Sequence, residues 1–213
     1  MSTTVIIVRH GETEWNRGNI FRGTYDIPLN ENGRDQAGLT SDVLKGYSFD
    51  AAYTSPLSRA CETAEIVLRP HEIKAVKHEG LLDMDYGEWT GKTEQDVMKK
   101  WPCEYADWVS CPHAHRPPGG TSISEVFDKS FPALKTLVKR HEGGTIVLFS
   151  HRVVNKLLII GALGLGLERF PYIIQGNCCY NEIEFANNEF IIKSINNTYH
   201  ITRAGTSMLK VDF

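Results

Sequence analysis

Apolar residues gather in three short, uninterrupted runs: TVIIV at 4–8, AAYTS at 51–55 and TIVLFS at 145–150. Runs of this length, without polar alternation, suit strands buried on both faces, as in a parallel sheet covered by helices. Helix-spaced patterns separate them. The stretch from Leu29 to Gly46 offers Asn30 as an N-cap and a glycine as a stop. The next pattern starts at Ser55, read as an N-cap with Pro56 in the first helical position. Ser122 and Glu125 carry the capping-box spacing for a helix running toward His141, with Pro132 predicting a kink or break. A further helical pattern runs from His151 to Gly161. Residues 181–185 and 189–196 flank Ala-Asn-Asn and read as a hairpin at a sheet edge. The alternation predicts an α/β three-layer sandwich, a mostly parallel central sheet with helices on both faces.

Residues 82–120 break this rhythm. They contain Trp89, Trp101, Trp108 and a PPGG stretch, with one short helix predicted near 93–100. An irregular insertion of this length in a compact domain is usually functional, and it reads as a lid over a site. No repeat or low-complexity tract interrupts the chain, which reads as one domain over 1–213. At 213 residues, 41% hydrophobic and 23% charged, it is long enough to bury a core without staples. The net charge of −3 argues against a general nucleic-acid footprint and leaves any anion site to local clusters of arginine and histidine.

Five cysteines, at 61, 103, 111, 178 and 179, follow no disulfide spacing, which favours a reducing compartment. Adjacent Cys178 and Cys179 are expected to point to opposite sides of an extended segment. The four apolar residues before Arg9 are too few for a signal-peptide core. The glycine-broken stretch from Leu157 to Leu167 is too short to span a bilayer. The expectation is a soluble, cytoplasmic chain with no membrane or nucleic-acid partner.

Open α/β sheets bind ligands at the carboxyl ends of their strands. There the first run ends on Arg9 and His10, the second on Thr54 and Ser55 with Arg59 one turn further, and the third on Ser150 and His151. Each residue alone has an ordinary explanation, a satisfied structural histidine or a solvated arginine. Two guanidiniums, two imidazoles and two helix N-termini at one sheet edge make an anion site.

The stretch VRHGETEWN at 8–16 resembles the signature of the histidine phosphatase superfamily, in its phosphoglycerate-mutase-like branch. The resemblance continues through RGTYDIPLNENG, YTSPLSRACETA, LLDMDYGEWTG, PPGGTS and VLFSHRVV, from residue 4 to about 200. It implies the phosphoglycerate-mutase-like fold and a phosphohistidine intermediate on His10. Arg9, Arg59 and His151 would clamp the phosphoryl oxygens, with His151 counted with the catalytic groups. Such fixed cations take the place of Mg²⁺, so neither a metal nor another cofactor is expected. Asn16 matches the family's polar phosphate contact, and Arg22, where glutamine is frequent, would add another. The proton for the leaving oxygen would come from Asp83, four residues before Gly87, where the family usually places glutamate. Aspartate is shorter by roughly 1.5 Å of reach, and Asp85 and Glu88 are nearby alternatives. A homodimer through an edge strand is a further family expectation.

Arg152 also departs from the pattern, since many relatives place glycine after the second histidine. It either lies over the substrate pocket or caps a helix. The chain lacks the ERHYG block and the longer WRRSYD-like segment of cofactor-dependent mutases. It therefore looks more like the phosphatases of small phosphorylated metabolites: broad-specificity, phosphoserine-type or α-ribazole-type. Tyr86, where phosphoserine-type enzymes show histidine, weakens that subtype. The alternative within the superfamily is a cofactor-dependent phosphoglycerate mutase. Two other readings are a zinc site from Cys103, Cys111, His113 and His115, whose spacing matches no common structural site, and a binding module without turnover.

Overall fold

The structure, a computed structural model, describes residues 1–204. Six strands form one sheet: β1 (Thr3–Arg9), β2 (Ala51–Thr54), β3 (Ala75–Lys77), β4 (Thr145–Ser150), β5 (Tyr180–Ala186) and β6 (Glu189–Asn197). Their order is β3-β2-β4-β1-β5-β6. The first four are mutually parallel, β5 runs antiparallel to β1, and β6 pairs antiparallel with β5 at the edge. The α/β architecture read from the sequence is the architecture of the chain.

Uninterrupted apolar strands need cover on both faces, and the two halves of each central strand divide between two cores. Val5 and Ile7 of β1 pack with Ile146 and Leu148 of β4 against α6 (Ile123–Arg140) and α7 (Arg152–Ala162). Ile6 and Val8 pack with Val147 and Phe149 against α2 (Glu31–Leu44) and α3 (Ser58–Val67). This is the period-two alternation of a strand expressed in a fully apolar sequence. The β5–β6 turn uses Asn187 and Asn188, both at positive φ, the conformation that tight hairpin turns require.

Several boundaries differ from the sequence reading. Helix α3 begins at Ser58 with Leu57 as its N-cap, because the Ser55 hydroxyl is engaged elsewhere and Asp26 accepts from the Ser58 backbone N–H at 2.7 Å. Helix α6 runs through Pro132 without a break. Pro132 and Asp128 both face solvent, so the carbonyl that the proline strands turns to water rather than into the core. The 82–120 insertion is more ordered than a lid over open space. It carries α4 (Glu94–Lys100) and α5 (Pro102–Ser110), and its Trp89, Trp101 and Trp108 are buried in the first core. Cys178 is not in an extended segment: it adopts φ +51° in a turn, packs in the second core and leaves Cys179 to donate to Gln175 Oε1.

The loop after β1 is pressed onto the first turn of α2. A Cβ at Gly33 would stand 2.1 Å from the Glu12 carbonyl oxygen, and one at Gly11 would stand 2.4 Å from the Gly33 oxygen. Gly38, in the same helix, has nothing within 4 Å of its would-be Cβ. Gly38→Ala should therefore stabilise the protein by up to about 1 kcal/mol through helix propensity. Gly33→Ala should lower Tm by about 5 °C through overpacking. Thermal unfolding of both variants checks this, and a Gly33→Ala protein as stable as Gly38→Ala would contradict the close approach.

Candidate active site

Strands β1 and β4 pair in parallel with Arg9 opposite Ser150, so the residues that follow, His10 and His151, leave the sheet side by side. The His10 backbone N–H donates to the Ser150 carbonyl at 3.0 Å, and the two imidazoles lie 5.2 Å apart, centroid to centroid. Both rings are buried.

His10 Nδ1 lies 2.6 Å from the carbonyl oxygen of Gly11. A carbonyl accepts only, so Nδ1 carries the proton and Nε2 keeps its lone pair. The pKa of His10 falls well below its ordinary value, through burial first and then the charges of Arg59, Arg9 and Arg22. His151 is lowered well below the ordinary value for the same leading reason, followed by Arg59 and His10. Its Nε2 lies 2.7 Å from Ser55 Oγ. That contact, rather than helix capping, is what occupies the Ser55 hydroxyl. When the hydroxyl donates to Nε2, the His151 proton resides on Nδ1. That nitrogen is buried, has no hydrogen-bond partner among the described residues, and lies 3.6 Å from Asp83 Oδ2.

Arg59 projects from the first turn of α3 and is wholly buried. Its Nη1 donates to the Tyr25 carbonyl at 2.9 Å, and its Nη2 to the Gly23 carbonyl at 2.7 Å and to Asp83 Oδ2 at 3.1 Å. Gly23 sits at φ +53°, and a Cβ there would meet the Met84 carbonyl at 2.7 Å, so glycine is required to present that carbonyl. Burial draws Arg59 down to about 10, still a cation at neutral pH. Arg9 is buried as well and donates from Nη1 to the Gln175 carbonyl at 2.6 Å. Carbonyl acceptors fix both guanidiniums, and Arg59 is also paired with the Asp83 carboxyl.

Asp83 lies between the two sides, with Oδ1 accepting from the Met84 backbone N–H at 3.0 Å. Burial raises its pKa, against the opposing pull of Arg59 and Arg22. A narrow cleft is lined by His10, Arg22, Gly23, Asp83, Tyr86, Arg152 and Val153. A larger hollow of about 450 Å³ between α3 and β3, lined by residues such as Cys61, Glu65, His71 and Lys74, includes none of these groups.

The residues singled out in the sequence thus converge, with one qualification from the geometry. Asn16 is buried near the end of β1, but its side-chain oxygen accepts from the Thr13 backbone N–H and hydroxyl, both at 2.9 Å, closing a capping box on α1 (Glu14–Arg17). Sequence reasoning missed the polar segment beneath the site. Asn177 Nδ2 donates to the His10 carbonyl at 3.2 Å, and Gln175 and Asn181 bond each other at 2.7 and 2.8 Å. Asn181 also reaches the Ile7 carbonyl at 3.0 Å, bracing the end of β1. Asn155 joins the two histidine strands when its amide nitrogen donates to the His151 carbonyl and its oxygen accepts from the Arg9 N–H.

The zinc reading finds no support in this arrangement. Cys111 Sγ lies 3.6 Å from the His113 ring, while His115 lies 3.9 Å from Asp107. Among the described residues, no three His, Cys, Asp or Glu side chains are placed to share an ion. Nor is any helix of the described residues long and apolar enough to cross a membrane.

Two adjacent imidazoles framed by buried guanidiniums and one carboxyl define a class of phosphoryl-handling enzyme. Residues 5–198 match the histidine phosphatase superfamily (branch 1), and the chain belongs to that family. It is 32% identical over 197 residues to phosphoserine phosphatase 1 of Hydrogenobacter thermophilus, covering 92% of this chain and 93% of that one. It is 33% identical over 183 residues to the 2,3-bisphosphoglycerate-dependent phosphoglycerate mutase of Mesorhizobium japonicum, covering 83% and 89%. Among solved structures, Bacillus stearothermophilus YhfR superposes with a TM-score of 0.89 at 31% identity, covering 93% of this chain and 99% of that one. Phosphatases and mutases both occur among its relatives, and the protein is an enzyme of this family.

The lowered histidines link the site to stability. Each has a folded-state pKa below the ordinary 6.5, so below about pH 6.5 the unfolded chain binds more protons than the folded one. Their neutral burial is fully compatible with folding above that pH and opposes it as pH falls. Each histidine steepens the loss by up to about 1.4 kcal/mol per pH unit. Asp83, with its raised pKa, acts in the opposite sense. Urea unfolding between pH 7.5 and 5.5 should therefore show a shallower decline for His10→Gln than for wild type. Equal slopes would contradict the neutral burial of His10.

Proposed function

We propose that this enzyme hydrolyses a small phosphomonoester through a phosphohistidine on His10, without a metal ion. The observation that carries the reading is the 2.6 Å contact of His10 Nδ1 with the Gly11 carbonyl, which holds the ring as a neutral nucleophile with Nε2 available. Arg9, Arg22 and Arg59 stabilise the charge on the phosphoryl oxygens, and the Nδ1–H of His151 donates to one of them. Asn16 contributes its amide N–H₂ to the same group while its oxygen remains in the cap.

The chemistry proceeds in two displacements. Nε2 of His10 forms a bond to phosphorus as the ester P–O bond breaks. The leaving oxygen takes the proton of the Asp83 carboxyl, whose pKa is raised by burial and would be raised further by a phosphate dianion. The alcohol departs. The Asp83 carboxylate then accepts a proton from water as the water oxygen attacks phosphorus and the P–Nε2 bond breaks. Inorganic phosphate leaves, and both residues return to their starting states. The contacts of Asp83 Oδ2 with Arg59 at 3.1 Å and with His151 Nδ1 at 3.6 Å support its place beside the phosphoryl site.

Hydrolysis is favoured over mutase chemistry because the chain lacks the longer segment that cofactor-dependent mutases insert after the YG motif. A mutase must keep its phosphohistidine dry long enough to return the phosphoryl group. The 33% identity to a bisphosphoglycerate-dependent mutase makes isomerisation the reading to test beside it.

Phosphate release from p-nitrophenyl phosphate and from small phosphomonoesters, with EDTA present, separates these readings. Wild type should turn over, His10→Ala should lose at least about 10³-fold, and Asp83→Asn should lose about 10²- to 10⁴-fold on substrates with poor leaving groups. Activity that EDTA abolishes would contradict metal independence. Conversion of 3-phosphoglycerate to its 2-isomer faster than phosphate release would replace hydrolase with mutase.

A further inference from the structure

Arg152 is the first residue of α7, directly after His151, and it lines the same cleft as His10, Arg22, Asp83 and Tyr86. Its position is poor for stability. A cation at a helix N-terminus opposes the helix dipole, where an acidic residue or a polar cap would be favourable. It also adds a further positive charge to a site already holding Arg9, Arg22 and Arg59. Among the described residues Arg152 has no carboxylate within ion-pair distance, unlike exposed arginines such as Arg34 and Arg116, which pair with Glu62 and Glu125. It stands instead with Tyr86 on the wall of that cleft. Tyr86 itself is fixed, its ring set against Phe21 at 5.1 Å and edge-on to Trp108 at 6.2 Å. The helix-capping alternative is therefore set aside, because the side chain lies over the cleft.

The phosphoryl clamp does not require this pair. Arg59 and Asp83 are locked together, and His151 stands on the other side of Asp83. Arg152 and Tyr86 lie along the cleft wall as a second set of donors, a planar fork beside a hydroxyl. That geometry suits a carboxylate, which takes two parallel N–H donors from a guanidinium.

We propose that Arg152, on the cleft wall with Tyr86, binds a carboxylate on the alcohol half of the substrate and so selects phosphorylated carboxylic acids over uncharged phosphomonoesters. This rests on the reading of the site as a phosphomonoester site. It makes Arg152 a specificity-determining residue, and it explains the cation at the start of α7, since an anion bound there offsets both the dipole and the neighbouring guanidiniums.

The test uses two ligands of nearly equal shape, 3-phosphoglycerate and glycerol 3-phosphate, which differ in a carboxylate against a hydroxymethyl group. Wild type should favour 3-phosphoglycerate in kcat/KM, mainly through KM. Arg152→Gln should reduce that preference by about 10- to 100-fold, the range for a lost charge-assisted pair. Arg152→Lys should restore part of it, by keeping the charge without the fork. Equal use of both substrates by wild type, or an equal loss on both in Arg152→Gln, would overturn the proposal while leaving the phosphatase reading intact. Thermal-shift titration with the same two ligands reads binding without turnover. A shift with 3-phosphoglycerate that exceeds that with glycerol 3-phosphate, and that Arg152→Gln removes, supports the subsite even if hydrolysis fails. No such difference overturns it.

Discussion

The register of β1 against β4 is the constraint on which the site depends. Parallel pairing with Arg9 opposite Ser150 makes both strands end at one level, so that the next residue of each, a histidine, enters the same space. A slip of one residue would turn every side chain of β1 to the other face and carry Arg9 and His10 away from Ser150 and His151. Two apolar cores hold that register. Val5 and Ile7 are claimed by one face and Ile6 and Val8 by the other, so neither face tolerates the exchange.

Once the strands are fixed, electrostatics determine what the convergence can do. Buried arginines lie close to both imidazoles, and water is excluded from them. In such a place an imidazolium is disfavoured twice, by desolvation and by like charge, and both rings remain neutral. Arg59 stays cationic, at about 10, because guanidinium is strongly basic and Asp83 offsets part of the cost of burial, while the carbonyls of Gly23, Tyr25 and Gln175 take up hydrogen bonds of Arg59 and Arg9. The same field that suppresses protonation of His10 attracts a phosphoryl dianion. The Gly11 carbonyl selects the tautomer, so one short backbone contact turns an ordinary histidine into a directed nucleophile. Asp83 stands at the boundary between Arg59 and His151, and burial raises its pKa against the pull of Arg59 and Arg22.

The strand ends were legible because three apolar runs stop abruptly on chemistry-bearing residues, and the resemblance of the surrounding motifs located Asp83 and Arg22 as well. Reading failed where a local rule competed with a distant partner. Ser55 before Pro56 looks like a helix cap, yet its hydroxyl belongs to His151, ninety-six residues away. Pro132 looks like a break, yet it lies on the solvent side of a long amphipathic helix. Gln175, Asn177 and Asn181 carry neither periodicity nor motif, and their role exists only because the chain returns beneath β1. The inward packing of the 82–120 insertion is hidden for a related reason, since its tryptophans face the core only when α4 and α5 fold over it. Arg152 was visible as a departure, but its direction needed the cleft.

The central claim is that phosphorus is transferred to Nε2 of His10 and then to water. The most direct measurement is acid-free quenching of the enzyme during turnover of a small phosphomonoester, followed by peptide mass spectrometry. The account predicts an acid-labile, alkali-stable phosphoryl group on the peptide containing His10, formed and lost at rates that match steady-state turnover. Turnover with no phosphoryl-enzyme on the pathway, or with phosphate on any residue other than His10, would contradict it.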